Sequence, residues 1–369
     1  MKTSVCLAGL CALLASCVSD FTPEVKGVSG ILVVDGAITN GESLFTLSRS
    51  VCITDTLWGD EGITNAVLAV ERSDGTILPA ENEGKGTYRV QTGDLDPEMS
   101  YRLSFTIGDK TYQSSFLKPM PSVAIDSLSY AKADLHQPVT IHVSTHDDAN
   151  QSPYYRWSFV ENWELKAKFF ASHGYWEGQF IPFTPYKNAY YCWAKDASKT
   201  LLIASTERLR ENRIVNQTLT EIPCDNEKVS ILYHIEVTQM QLREEAYDYF
   251  RILRDEIERT GGLFSPVMSA DDNGNIFCLN NPEETIIGFI EVANVSKQSM
   301  FVPCEELFED TWQCRTGGTM NRQESLYHWI KFSYSGDALN TYSSEECVDC
   351  RTHYHATKNK PSWWPTDHY

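Results

Sequence analysis

The CVDC sequence at 347–350 is the part of the chain whose spacing best suits metal or redox chemistry. It contains two thiols, and His353 and His355 follow it closely. Zinc binds cysteine and histidine in this kind of arrangement, with Cys304 or Cys314 as alternative thiol ligands. A redox CxxC motif would instead need a thioredoxin-like βαβ context, which the surrounding sequence does not have. In an oxidising compartment the same cysteines would form disulfides, so the compartment decides between these chemistries.

The beginning of the sequence indicates that compartment. Lys2 is followed by an apolar run at 5–14, which has the length of a signal peptide and is too short for a permanent transmembrane helix. The LASC sequence at 14–17 then resembles a bacterial lipobox, in which the cysteine receives a diacylglycerol and becomes the first residue of the mature chain. We therefore predict a signal peptide at 1–17 and lipidation of Cys17. An ordinary secretion signal with an incidental cysteine is the alternative.

Export changes how the remaining cysteines are interpreted. The chain has eleven cysteines, of which Cys6, Cys11 and Cys17 belong to the predicted signal, so eight remain in the mature protein. An even set in an exported chain fits disulfides, but eight cysteines allow about 105 pairings and sequence alone does not choose among them. We favour disulfides over zinc, and predict no metal site and no cofactor. The candidate disulfide cysteines are Cys304, Cys314, Cys347 and Cys350.

The charge balance restricts the partners of the protein. Its formal net charge is −19, and removal of Lys2 with the signal leaves 30 basic and 50 acidic residues, hence −20. An acidic surface repels nucleic acids and anionic lipids, so we predict neither as a partner. No later stretch approaches about 18 consecutive apolar residues. A lipid on Cys17 would then be the membrane attachment of the protein.

Motifs for calcium binding and catalysis are weak in this sequence. The DDNGN sequence at 271–275 begins like a calcium loop, but an EF-hand needs glycine at its sixth position and glutamate at its twelfth, where this chain has Ile276 and Pro282. A solvated turn is the better interpretation. The sequence contains no GxSxG, HExxH or P-loop motif. Catalytic residues can also assemble from distant positions, so a hydrolase stays an alternative to a non-catalytic protein.

Aromatic residues crowd the segment 154–193 and include the candidate surface for a ligand or partner. Rings with one polar edge can stack on sugars or on peptide side chains. The alternation of Tyr155, Trp157 and Phe159 along one strand face instead indicates packing in a core, which is the interpretation that we favour for the segment. The candidate surface residues are Tyr154, Trp163, Tyr175, Trp176, Tyr190 and Trp193.

The elements that position these residues are predicted to be mainly β-strands. After a tether at 18–29, short strands with regular turns fill 30–120 and predict a sandwich that resembles immunoglobulin-like or transthyretin-like modules. Its clearest hairpin has alternating apolar residues at 101–107, a turn at Gly108-Asp109 and a return strand.

A larger β-rich domain is predicted at 121–303, with one docked helix near 241–260. Phe250 and Leu253 belong to a set of apolar residues that recur at helical spacing in that segment. The segment 304–369 is rich in cysteine and in turns, and we predict that it forms a tail packed on the second domain.

Nine short motifs, spread over nearly the whole mature chain, occur in an order that is similar to one family. They are GILVVDG at 30–36, LSRS at 47–50, YYRW at 154–157, EAY at 245–247, GNI at 274–276, NPE at 281–283, IGF at 287–289, CVDC at 347–350 and KPSWWP at 360–365. The order resembles that of the Bacteroidota outer-membrane lipoproteins known as domain of unknown function 4249. The resemblance implies a lipoprotein that is often associated with a TonB-dependent outer-membrane receptor in nutrient uptake. It carries over no catalytic residues.

The sequence therefore predicts a non-enzymatic accessory lipoprotein of the outer membrane, with a TonB-dependent receptor as its partner. Asp20 is the only acidic residue closely following Cys17, whereas surface-export signals in this phylum usually contain several, so the cell surface and the periplasmic face both stay open. A glycan- or peptide-binding lipoprotein acting alone is the first alternative, and it predicts an exposed aromatic cluster. A hydrolase is the second, and it predicts converging histidines or carboxylates in a cleft.

Overall fold

The computed structural model describes ten stretches of the chain, and the strands within them make the protein mainly β. The described residues are 30–50, 62–176, 179–182, 189–260, 274–304, 306–311, 313–314, 316–317, 329–332 and 342–367. Cys17, the predicted tether and most of the calcium-like turn lie outside these residues. The described part of the chain contains no helix that is long and apolar enough to cross a membrane.

The first domain is built from one ten-stranded sheet that folds over its own core. Its sequential strands are β1 (Leu32–Thr39), β2 (Gly41–Arg49), β3 (Val67–Arg72), β4 (Ile77–Gly84), β5 (Thr87–Gly93), β6 (Tyr101–Ile107) and β7 (Lys110–Ser114). β4 pairs with β3 on one side and with β5 on the other, which joins two halves of the sheet. Buried residues from both halves, such as Phe45 and Phe105, belong to one apolar cluster. The arrangement is therefore the predicted sandwich.

The predicted hairpin of the first domain is confirmed. β6 pairs with β7 in antiparallel register, with Ile107 opposite Lys110. Gly108 has a φ of 61° in the turn between them, a conformation that glycine adopts without steric cost. Alternation along β6 places Tyr101, Leu103 and Phe105 in the core, as the apolar pattern indicates.

Three strands from much later in the sequence complete the first domain. They are β17 (Ile276–Cys278), β18 (Ile286–Ile287) and β19 (Glu291–Ala293). β17 pairs with β7, while β18 and β19 pair in parallel with β1. These residues fall within the range 121–303 that we predicted for the second domain, so the structure corrects that boundary. Strand pairing between distant segments leaves no local pattern in a single sequence, which is why the boundary could not be predicted.

The second domain is a sandwich of a five-stranded and a three-stranded sheet. Its strands are β8 (Ile125–Ala131), β9 (Val139–His146), β10 (Tyr154–Lys166), β13 (Tyr191–Ala197), β14 (Leu202–Ser205), β15 (Arg213–Ile222), β16 (Leu232–Leu242) and β20 (Ser296–Pro303). The large sheet has the order β13-β10-β16-β20 with β14 beside β10, and the small sheet has the order β15-β9-β8. Trp157 donates its Nε1 hydrogen to Gln239, whose amide donates in turn to Thr145 of the facing sheet. This chain of hydrogen bonds satisfies buried polar groups across the sandwich.

A further sheet lies beside the second domain and contains β11 (Ala171–Trp176), β12 (Gln179–Pro182), β21 (Thr316–Gly317), β22 (Trp329–Phe332) and β23 (Tyr342–Ser344). Its strand order is β12-β11-β22-β23-β21, so residues of the C-terminal segment pair with an excursion that leaves the end of β10.

The single α-helix of the described residues, α1 (Glu244–Thr260), packs between the two sandwiches and confirms the predicted helix. Its buried residues Ala246 and Phe250 belong to one apolar cluster with Phe289 of the first domain and Met240 of the second. Glu291 of β19 is fully buried and pairs with the guanidinium group of the residue that precedes the helix. This ion pair fixes the start of α1 against the first domain.

One disulfide attaches the C-terminal segment to the body of the protein, and a second lies within the segment. Cys350 is bonded to Cys192 of β13, and Cys347 is bonded to Cys314. The predicted oxidation of Cys314, Cys347 and Cys350 is therefore confirmed, whereas that of Cys304 is wrong.

Cys304 is a free and fully buried thiol at the end of β20. It donates to the carbonyl oxygen of Val302 at 3.1 Å, and burial raises its pKa to about 12. Cys192, which was not among the candidate disulfide cysteines, is the partner of Cys350. It lies 158 residues before Cys350, and the sequence contains no local signal for this pairing.

Candidate functional site: a cleft between the two domains

A cavity of about 590 Å³ lies where the two sandwiches meet beside α1. The first domain contributes residues such as Asp35 and Leu44, the large sheet of the second domain contributes Arg156 and Thr238, and the helix contributes Leu253. Both domains and the helix that joins them therefore line one cleft. Its volume lies within the range of small-molecule sites, which occur preferentially at domain interfaces.

Arg156 is the most distinctive polar group of the cleft. It alternates with Tyr155 and Trp157 along β10, so these rings point into the sandwich core while Arg156 points to the opposite face. Its guanidinium group lies 4.4 Å from the centroid of the Phe250 ring on α1. The side chain is only 16% exposed, so the stem is held by packing and the charged end faces the cleft.

The charge of Arg156 is only partly compensated. Among the described residues this arginine has one ion pair, between Nη2 and Oδ1 of Asp35 at 3.6 Å, and the Asp35 side chain is 72% exposed. No side chain or carbonyl group of the described residues accepts a hydrogen bond from the guanidinium group. A guanidinium group carries five hydrogen-bond donors in a fixed plane, so several donors are available to a bound molecule.

One wall of the cleft is apolar and partly exposed. Leu44 of β2 is 47% exposed and Ile257 of α1 is 42% exposed. Leu253 and Val295, which also line the cavity, are half-buried. Apolar side chains that come from separate elements and face the same cavity can cover the apolar body of a ligand.

Charged residues at the cleft are nearly balanced, in contrast to the acidic chain as a whole. Four lining residues are basic and three are acidic, a difference of +1, whereas the chain carries −19. Most of them have partners nearby: Lys199 bonds to Asp196 at 3.0 Å, and Glu42 pairs with Arg89. Lys297 forms no ion pair within the described part of the chain. The basic residues are Arg156, Lys199, Arg254 and Lys297, and the acidic ones are Asp35, Glu42 and Glu258.

The structure corrects most of the predicted aromatic surface. Tyr154, Trp163 and Trp193 are buried, with exposed fractions of 7%, 1% and 4%, and Tyr190 is half-buried. The side chains of Tyr175 and Trp176 lie outside the described residues.

The predicted aromatic residues of β10 are buried because this strand is covered on both faces. The inner face packs in the sandwich, whereas on the outer face Tyr154 stacks on Tyr247 of the helix with 4.6 Å between ring centroids. At the other end of the strand, Glu164 accepts a hydrogen bond from the indole of Trp364 in the tail at 2.9 Å. Alternation along a strand therefore does not expose either face here.

The CVDC segment also departs from the zinc interpretation. Its two cysteines belong to different disulfides, so neither thiol is available to a metal. His353 pairs with Glu227, and Nδ1 of His355 lies 3.3 Å from the carbonyl oxygen of Lys195. In the described ranges, no three side chains of histidine, cysteine, aspartate or glutamate are arranged to hold a metal ion.

A second cavity, of about 450 Å³, is lined by one cysteine, one histidine and three carboxylates, one of which contacts both the thiol and the imidazole. Oε2 of Glu309 lies 2.9 Å from Nδ1 of His136 and 3.4 Å from the sulfur of Cys224. Burial and the neighbouring Glu309 raise the pKa of the Cys224 thiol, while the same carboxylate raises the pKa of His136. A nucleophilic cysteine needs a lowered pKa and a base beside it, so this arrangement keeps the thiol protonated.

Arg156 was not among the predicted site residues, although the sequence contains a signal for it. An arginine that alternates with core aromatics on a strand must lie on the face away from that core. What the sequence does not show is that the first domain and α1 cover this face.

The fold and the cleft define a two-domain, mainly β protein whose domains share one helix and one ligand-sized cavity. The sequence model of the family described as domain of unknown function (DUF4249) matches residues 18–299. The chain belongs to this family. Comparison with curated proteins finds no match.

Proposed function

We propose that the protein is an accessory lipoprotein of the bacterial outer membrane that assists a TonB-dependent receptor in nutrient uptake by binding a solute, without catalysing a reaction. The lipobox-like sequence ending at Cys17 supports membrane attachment. The two disulfides support an oxidising compartment, because disulfides persist outside the cytosol. Membership of the DUF4249 family fits this assignment, since the resemblance implies lipoproteins associated with such receptors.

The observation that carries the binding role is the cleft between the domains. It combines an apolar wall with a guanidinium group whose donors are largely unused, and both are positioned by rigid elements rather than by a loop. In the second cavity, burial and Glu309 raise the pKa of the Cys224 thiol, which does not favour a nucleophilic role for it.

The lipid gives a physical reason for a receptor as partner. Anchoring confines the protein to the plane of the membrane, which raises its effective concentration toward other membrane proteins. A weak interface with a receptor can then be occupied for much of the time.

Purification in mild detergent tests the partner. A tag on the C-terminus of the full chain should co-isolate a TonB-dependent receptor, whereas the Cys17→Ala variant should lose lipid labelling and co-isolation together. Recovery of the lipidated protein alone, under conditions that preserve other receptor–lipoprotein pairs, would contradict the accessory role.

A stand-alone glycan-binding lipoprotein is the second candidate, and a specific observation favours it. Trp363 is 50% exposed and Phe301 is 38% exposed, with 6.1 Å between their ring centroids. The pair rests on the buried ring of His234, so an exposed aromatic cluster exists, although not at the predicted residues. Binding to oligosaccharides that is lost in Trp363→Ala, together with no receptor in the purification, would favour this candidate.

A further inference from the structure

We infer that the cleft between the domains binds a ligand with a carboxylate group and an apolar body, and that Arg156 binds the carboxylate. This inference rests on the binding role proposed above and specifies the class of the ligand. A peptide with a free C-terminus and a fatty acid both have this chemistry.

The first argument is the state of the guanidinium group. A mostly buried cation is costly unless it is paired, and within the described part of the chain Arg156 has only the Phe250 ring and the exposed Asp35 as compensation. Cation–π contact with Phe250 holds the guanidinium carbon 4.4 Å from the ring centroid but gives its N–H donors no hydrogen-bond acceptor. Two parallel hydrogen bonds from such a plane match the two oxygens of a carboxylate, and these are among the stronger hydrogen bonds in proteins.

The second argument is the charge of the cleft. The chain as a whole repels anions, whereas the cleft lining carries four basic and three acidic residues and includes Lys297 as a cation without an ion pair in the described residues. The lining of the cleft is therefore less unfavourable to a single negative charge than the average surface of the chain.

The third argument is the shape of the lining. Leu44 comes from the first domain, and Leu253 and Ile257 come from the helix. All three line the cavity that Arg156 also lines, and they supply apolar surface to it. A volume of about 590 Å³ accommodates a short peptide end or a medium-length acyl chain. The carboxylate fixes one end of the ligand, and the apolar wall covers the rest.

Calorimetric titration of the full-length chain with matched acids and amides tests the inference. The probes are acetyl-trileucine with a free C-terminus against its C-terminal amide, and octanoate against octanamide. We expect the acid of at least one pair to bind about tenfold or more tightly than its amide, because charged hydrogen bonds are stronger than neutral ones. The pair that shows the difference identifies the source as a peptide or a fatty acid.

Variants then assign the effect to Arg156. Arg156→Gln should abolish the preference for the acid, and Arg156→Lys should keep part of it, because the charge stays while the planar fork is lost. Asp35→Asn should strengthen binding of the acid, since it removes the nearest negative charge. The matched control is Arg208→Gln, which removes the same charge from an exposed position outside the cleft and should bind as the unaltered protein does.

Several results would overturn the inference. One is that neither acid binds to the unaltered protein, and another is that acid and amide bind equally. A third is that Arg156→Gln keeps the preference for the acid unchanged. If the thermal transition shows that Arg156→Gln does not fold, Asp35→Asn and Leu44→Asp replace this variant, because both change exposed side chains of the first domain. Receptor co-isolation is scored separately, so loss of the partner with an intact acid preference would reject the accessory role alone.

Discussion

The disulfide between Cys192 and Cys350 should be one of the largest single contributors to the stability of the protein. It closes a loop with a sequence separation of 158, and both cysteines lie in the core of the second domain. The chain-entropy relation for a loop of this length gives roughly 5 kcal/mol as an upper value for the loss on removal. The second disulfide shortens the effective loop only slightly, because it connects Cys314 to Cys347 within it.

Urea unfolding of the double variant Cys192→Ala/Cys350→Ala measures this contribution. We expect a loss of about 3–5 kcal/mol in the free energy of unfolding, at the upper end of measured disulfide contributions. Cys224→Ala is the matched control, because this cysteine is free and partly exposed, and its replacement should change stability by about 0.5 kcal/mol or less. A loss below about 1 kcal/mol in the double variant would refute the reasoning. It would show that the tail is not held to β13 by this bond.

Three further predictions concern buried ionisable groups. Glu291→Gln should destabilise the protein by about 3 kcal/mol in chemical unfolding, because it leaves a half-buried guanidinium group beside α1 without its partner; a loss close to zero would contradict this. Burial lowers the pKa of His234 in the folded protein, so near and below the usual histidine pKa the unfolded chain binds more protons than the folded one. The free energy of unfolding should therefore fall as the pH drops from about 7.5 to about 5. The fall should be smaller in His234→Phe, and an equal fall would rule out this origin. Thiol labelling of the native protein should drop by one equivalent in Cys224→Ala, whereas Cys278 and Cys304 should react only after unfolding, since both are buried; native labelling of either would contradict their burial.

Local patterns predicted the parts of the fold that depend on neighbours in sequence. The hairpin of β6 and β7 follows from alternating apolar residues on either side of Gly108, and α1 follows from apolar spacing that ends before a glycine pair. In the hairpin the hydrogen-bond partners are close together in sequence, and in the helix successive apolar residues of the packed face are three or four positions apart. A period in the sequence is then sufficient to predict the element.

Pairings between distant segments could not be predicted in the same way. β18 and β19 join β1 across about 250 residues of chain, and Cys192 joins Cys350 across 158. Parallel pairing has no hairpin turn to mark it, and a disulfide depends on Cα distances that spacing does not reveal. The first domain and the second are therefore interleaved in sequence, and a division into consecutive ranges was bound to misplace 276–293.

The candidate site shows the same limit from the functional side. Alternation along β10 predicted that Tyr155 and Trp157 pack inward, and this much is confirmed. Whether the opposite face meets solvent or another element depends on α1 and on the tail, which pack there from remote positions. At one end of the strand that covering is complete and buries Tyr154. At Arg156 it leaves a cavity, because the helix supplies a ring beneath the guanidinium group but no carboxylate to pair with it. The candidate site thus arises where packing between the domains covers a charge that, among the described residues, only the exposed Asp35 compensates at 3.6 Å, and a bound carboxylate would supply the closer partner proposed above.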